Sequence, residues 1–138
     1  MENIFYVIAF ICFGLFILGL ISQKGEAKGL IDGKLAEPEM APNVVSSDGD
    51  VQPERAVKAL EGKRPQIKEA IIVTGGTITS DSDSYISATY MSKIFKFVDD
   101  VEIRKASDNL WHIRSSSRVG YSDMGVNRKR VEAIRAAL

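Results

Sequence analysis

Eighteen consecutive residues without a charge, Ile4 to Ile21, constrain this chain more than any other feature of its sequence. At 1.5 Å per helical residue the run is about 27 Å long, close to the ~30 Å hydrocarbon core of a bilayer. Two readings compete, an uncleaved anchor and a cleaved export signal. Met1-Glu2-Asn3 carries no Lys or Arg, the apolar run is long for a signal core, and Gly25-Glu26-Ala27 is a weak cleavage site, so residues 1–22 read as a transmembrane anchor. Cys12 follows Ala9-Phe10-Ile11, which is not the small-residue box of a lipid-modified cysteine. Lys24, Lys28 and Lys34 follow the run and no basic side chain precedes it, so the flanks by themselves favour a cytoplasmic domain.

The remainder has room for one small domain. The 18 basic and 18 acidic residues of the whole chain balance, which argues against a nucleic-acid binder. Cys12 is the single cysteine, so the chain forms no internal disulfide or cysteine zinc site and offers no thiol nucleophile outside the apolar run. Residues 23–50, rich in Gly and Pro, read as a linker or extended arm of which Leu30, Ile31, Leu35 and Val44-Val45 dock somewhere. Pro53 and Gly62 bracket an expected short helix with Ala56, Val57 and Leu60 as its buried stripe. An expected strand over 66–78 is interrupted at Gly75-Gly76, and a turn from Ser80 to Ser84 leads to another strand, Tyr85 to Met91. Two further strands and a C-terminal helix complete an α+β domain over 51–138. Its antiparallel sheet has about four strands, with an N-terminal and a C-terminal helix packed on it.

The third and fourth strands carry the most specific pattern. Phe95, Phe97, Asp99, Val101 and Ile103 alternate with Lys96, Val98, Asp100, Glu102 and Arg104. A three-residue turn, Ser107-Asp108-Asn109, sets Ile103 opposite Ile113, Val101 opposite Ser115 and Asp99 opposite Ser117. On the other face Glu102 meets Arg114 and Asp100 meets Ser116. A slip of one residue would put Trp111 and Ile113 on the charged face. Asp123 or Ser122 caps a helix from about Met124 or Val126, with Asn127, Val131, Ile134 and Leu138 inward.

No catalytic, metal or cofactor site is expected. The Val73-Thr-Gly-Gly-Thr-Ile78 segment is similar to the threonine motif of asparaginases, but the second motif with Asp and Lys is missing. Asp81-Ser-Asp83 lacks the glycine and the carboxylate a calcium loop needs at its sixth and twelfth positions. His112, the single histidine, lies four strand residues from Ser116, about 13 Å away, so β-strand geometry disfavours a hydrolase within that strand. What remains is a polar cluster: Arg114, Ser115, Ser116, Ser117, Arg118, Tyr121, Asp123, Asn127, Arg128 and Arg130, facing the acids Asp99, Asp100 and Glu102. Either the acids pair with the arginines and tie helix to hairpin, or the arginines and serines hold an anionic ligand or an acidic partner surface.

The segments Phe97-Val-Asp-Asp-Val-Glu-Ile103 and Arg114-Ser-Ser-Ser-Arg-Val-Gly-Tyr-Ser-Asp-Met-Gly-Val-Asn-Arg-Lys-Arg-Val-Glu132 resemble the signature of a bacterial and plastid family named only as domain of unknown function 1499. Gly29 to Ala36 and Pro42 to Ser47 resemble its N-terminal segment. The resemblance implies no activity. It also implies a cysteine pair at positions occupied here by Pro38 and Val44, and a glutamate where Thr89 stands, so two groups that could serve a site are missing. The expectation is a non-catalytic accessory protein of a larger membrane assembly, with the lipid bilayer and a protein as its partners. The alternative is a binder or hydrolase of a small anionic molecule. The resemblance suggests an exported domain, in the periplasm on a bacterial inner-membrane anchor, against the lysine count.

Overall fold

The computed structural model describes residues 1–39 and 42–138. Its elements run α1 (Glu2–Ser22), β1 (Leu30–Ile31), β2 (Lys34–Leu35), β3 (Val44–Ser46), β4 (Leu60–Glu61), α2 (Arg64–Val73), β5 (Thr77–Asp81), β6 (Tyr85–Met91), β7 (Val98–Ser107), β8 (Leu110–Ser117) and α3 (Val126–Ala136). β1 and β2 form a small hairpin. The other six strands form one antiparallel sheet in the order β3-β8-β7-β6-β5, with β4 also paired to β8. The fold is α+β, as expected, with six strands in the main sheet where about four were expected.

The alternation in β7 and β8 fixes their register. Ile103 lies opposite Ile113, Val101 opposite Ser115, Asp99 opposite Ser117, Glu102 opposite Arg114 and Asp100 opposite Ser116. Only the turn differs. Ser107 pairs with Leu110 across Asp108-Asn109, and an irregularity between Lys105 and Ser107 restores the pairing a three-residue turn would have produced.

One face of the sheet holds the core. Ile86, Ala88, Val101, Ile103, Trp111 and Ile113 pack against Ile67, Ala70 and Ile71 of α2 and Val131 and Ile134 of α3, all buried. Burying each of the large side chains contributes roughly 1.5–3 kcal/mol.

Two element assignments are corrected. Residues 53–62 form turns and the short strand β4, and the N-terminal helix of the domain is α2, where a strand was expected. The strand reading passed over a helix period in Ile67-Lys-Glu-Ala-Ile-Ile, because Ile67, Ala70 and Ile71 fall at the i, i+3, i+4 spacing of a helix face. Pro65 in the first turn and the reciprocal bonding of Lys63 and Gln66 start that helix. Gly75 at φ +99° ends it, so the glycine pair is a helix stop and not a bulge within a strand. Gly76 passes so close beneath Ile71 and Tyr90 that a Cβ there would lie 2.6 Å from Ile71 Cγ2.

Residues 23–50, read as a linker or extended arm, contribute β3 to the sheet and lie over its second face. Leu35, Ala36, Val44, Ser46 and Asp48 are buried there, while Val45 alternates into the core on the first face. α1 is joined to the same unit at its C-terminal end. The buried Ser22 accepts the Val98 amide on Oγ (3.0 Å), and its carbonyl accepts Arg118 Nη1 (3.1 Å). Gly19 lies against the Phe95 carbonyl with no room for a Cβ. The span Asn3–Ser22 has a mean hydropathy of 2.9 and is long and apolar enough to cross a membrane.

Candidate functional site

The second face of the sheet is polar, yet its centre is buried. In strand order it presents Tyr85, Ser87 and Thr89, then Asp100, Glu102 and Arg104, then His112, Arg114 and Ser116, then Val44 and Ser46. Strand alternation puts them together, and the arm covers them. Glu102 has no exposed surface, Arg114 is 3% exposed and Asp100 4%.

Three ion pairs organise this layer. Arg118 grips Asp100 with two bonds, Nε to Oδ2 at 2.7 Å and Nη2 to Oδ1 at 2.8 Å. Arg104 grips Asp48 in the same way, and the Leu35 amide donates to that carboxylate at 2.8 Å. Glu102 accepts from Arg114 Nη1 (3.2 Å), the Tyr85 hydroxyl (2.8 Å) and the Gly29 amide (2.7 Å). The arm is thus held down at two points, by its own Asp48 on Arg104 and by its Gly29 amide on Glu102.

Between the arm and the sheet lies a cavity of about 280 Å³, whose lining includes Lys28, Asn43, Asp100, Arg114, Ser116 and Arg118. Arg114 Nε is buried and, among the described residues, is the one buried side-chain nitrogen or oxygen without a hydrogen-bond partner. A buried donor left unmade costs about 1–3 kcal/mol, so this guanidinium calls for an acceptor from water or a ligand.

The polar cluster of the C-terminal third divides by strand parity. Arg114, Ser116 and Arg118 belong to this cavity, and Ser117 reaches its lining. Ser115 points to the core face and donates to Asn127 Oδ1 at 2.6 Å. The buried Asn127 also accepts from Arg130 Nη1 (2.7 Å) and donates from Nδ2 to the Asn43 carbonyl (3.0 Å), Ser117 Oγ (2.9 Å) and Asp123 (2.7 Å). Asp123 caps α3 by accepting the Gly125 and Asn127 amides, both at 2.9 Å. Arg130 pairs with Asp99 at 2.7 Å and lies over the Tyr90 ring. Arg128 binds the carbonyls of Ala56 and Glu54, and Tyr121 is 73% exposed. Of the three acids, only Asp99 ties α3 to the hairpin, while Asp100 and Glu102 pair within the sheet.

One grouping escaped the sequence. Ser47 Oγ lies 3.3 Å from His112 Nδ1, and His112 Nε2 lies 3.9 Å from Asp48 Oδ1. These are the residue types of a hydrolase triad in a poor geometry. The second distance is too long for a hydrogen bond, Asp48 is held by Arg104 and Leu35, and Ser47 Oγ accepts the Ile113 amide at 2.8 Å. The other motifs are equally engaged. Thr74 Oγ1 bonds the Ala70 carbonyl at the end of α2, and Asp81 pairs with Arg64 and Lys68. Among the described residues no three His, Cys, Asp or Glu side chains converge as a metal set would.

A family model described as a protein of unknown function, DUF1499, matches residues 30–138. The chain belongs to the DUF1499 family. No curated protein and no solved structure matches it. The DUF1499 match starts at Leu30 and includes the covering arm from there on, so most of the arm and the sheet fall within one family unit, and α1 and residues 23–29 lie outside it. Val44, where the resemblance implies a cysteine, is a buried strand residue opposite Ser116 in the cavity wall.

The polar layer leaves a mark on stability against pH. Burial and the bond to the Glu102 carboxylate push the Tyr85 phenol well above its ordinary value of about 10. A raised folded pKa contributes stability that is complete below the unfolded value and lost as pH rises above about 10. Asp48 and Asp123 shift the other way. Burial opposes ionisation, but Arg104 and the Leu35 amide hold Asp48 low, and the Asn127 and Gly125 amides hold Asp123 low. Their contribution is present above about pH 4 and is lost as pH falls toward the folded values. Denaturant midpoints followed by fluorescence of the single, buried Trp111 should decline at both ends, and Tyr85→Phe should flatten the alkaline limb alone.

Proposed function

We propose that this DUF1499 protein is a non-catalytic, single-pass accessory or binding protein of a larger membrane assembly. The observation that carries the reading is α1, an apolar helix of membrane-spanning length whose side chains stay exposed while its last turn is bonded to the domain. Supporting it, Asp48, Glu102 and Asp100 of the polar layer are each held by an arginine, which is an arrangement for rigidity and recognition. The balanced charge fits a protein or lipid partner better than nucleic acid. The full chain should stay with membranes through alkaline extraction and migrate, in several mild detergents, as a complex larger than itself. Recovery only as a free monomer would sink the accessory role.

We place the domain in the periplasm of a bacterial inner membrane, following the family resemblance over the three lysines after α1. Alkaline phosphatase fused after Leu138 should be active and green fluorescent protein at the same point dark. The reverse pattern would return the domain to the cytoplasm.

A second reading is supported by the partnerless Arg114 Nε beside a cavity large enough for a small molecule. In it, a phosphate- or carboxylate-bearing ligand supplies the acceptor to Arg114, with Ser116 beside it. A ligand present at 100 times its Kd should stabilise the protein by about 2.7 kcal/mol. A thermal-shift screen of phosphates, carboxylates and acyl esters in which no compound moves the Tm, for the wild type or for Arg114→Lys, would dispose of this reading.

A further inference from the structure

The depth of the domain on its anchor follows from two lengths. α1 offers 20 residues for a span, Asn3–Ser22, or about 30 Å at 1.5 Å per residue, which the hydrocarbon core takes up entirely. Yet the domain does not begin where the helix ends. An apolar cavity of about 390 Å³ is lined by Leu15 and Leu18 of α1 together with Phe97, Val119, Met124 and Val126. Leu15 lies seven residues before Ser22, so the loops of the domain reach about 10 Å back along the span. Were the membrane to stop at Leu15, the residues before it would cover only about 20 Å of a ~30 Å core. Phe16, Ile17, Leu18, Leu20 and Ile21, which stay 39–53% exposed beside the docked domain, would then stand in water.

The loops themselves are built for an apolar neighbour. Ile94 is 79% exposed and Met124 87%, and Tyr121 adds an amphipathic ring at 73%. Asp123, the one acid of the 119–126 loop, has its carboxylate satisfied by the Gly125 and Asn127 amides and Asn127 Nδ2.

We propose that the loops 92–97 and 119–126 are seated in the lipid interface alongside α1, so that the domain lies on the bilayer and is not held away from it on a tether. The proposal rests on the membrane-spanning reading of α1. Docking at Gly19 and Ser22 fixes the angle between helix and domain, and the two loops bring Ile94 and Met124 to the level of the acyl-chain boundary. The β7–β8 turn lies beyond the far end of β7, which runs about 30 Å from Val98 to Ser107.

The test is made on the full chain in liposomes, in a Cys12→Ser background with single cysteines introduced by Phe10→Cys, Ile94→Cys, Met124→Cys or Asp108→Cys. Each carries an environment-sensitive fluorophore, and brominated lipids serve as quencher. Labels at 94 and 124 should emit to the blue and be quenched severalfold more than the label at 108, with position 10 quenched as the spanning control. If position 10 is quenched while 94 and 124 behave like 108, the seating is wrong and the anchor stands. If 94 and 124 are blue-shifted but unquenched, protein and not lipid covers them, and the proposal falls. An unquenched position 10 would remove the anchor reading itself, and the proposal with it.

Discussion

Replacing Glu102 with alanine is expected to lower the unfolding free energy by about 3–5 kcal/mol, the cost of leaving a buried charge without its partner. Glu102 has no exposed surface, and three donors converge on it: the Arg114 guanidinium, the Tyr85 hydroxyl and the Gly29 amide. The substitution abandons all three at once and loosens the arm at Gly29. Removing both charges should behave differently. An apolar pair often matches or exceeds a buried ion pair, so Glu102→Leu with Arg114→Leu should recover most of the loss. Denaturant titration in detergent, read by Trp111 fluorescence, measures both. A single variant within about 1 kcal/mol of wild type would show the pair to be solvated, as exposed pairs are, and the polar layer to be open.

The second large effect is expected at Asn127, and its neighbour supplies the contrast. Asn127→Ala removes the acceptor of the fully buried Ser115 hydroxyl, which keeps only the donor Arg130 Nη1, and one of two donors to the Asn43 carbonyl, which keeps the Ser117 amide, at a cost of about 1–3 kcal/mol. It also cuts a side chain that joins α3, β8 and the arm. Arg128→Ala, one residue along the same helix, removes bonds to the carbonyls of Glu54 and Ala56 at the margin of the fold and should cost under about 1 kcal/mol. Equal losses at the two positions would contradict the division of the polar cluster described above.

That division shows how far the site could be read in advance. Ser115, Ser116 and Ser117 look like one group in the sequence, and the alternation of a strand already sends Ser115 and Ser116 to opposite faces. The destination of each face was not readable. Asp100, Glu102 and Arg114 carry the signature of a solvated strand face, because nothing within a strand reveals that a segment 73 residues away will bring the Gly29 amide down on Glu102. The Ser47–His112 contact is invisible for the same reason, its partners being 65 residues apart. Arg114 Nε, the buried donor that lacks an acceptor, is defined by a missing partner, and a missing partner is a property of three-dimensional surroundings only.

By itself the sequence determined what depends on neighbours along the chain or on one paired strand. An uncharged run of membrane length became α1, the alternation of apolar and charged residues set the β7–β8 register, and a capping acid with an inward stripe made α3. Only the tertiary structure decided the rest. Residues 64–73, read as a strand, carry a helix period as well, and the burial of Ile67, Ala70 and Ile71 on one face of the core decided for the helix. Residues 23–50 became a cover because β3 found the free edge of β8 and because Asp48 found Arg104 across 56 residues. Periodicity is local and can be read in one dimension, whereas the burial of a charged face depends on which distant segment pairs with it.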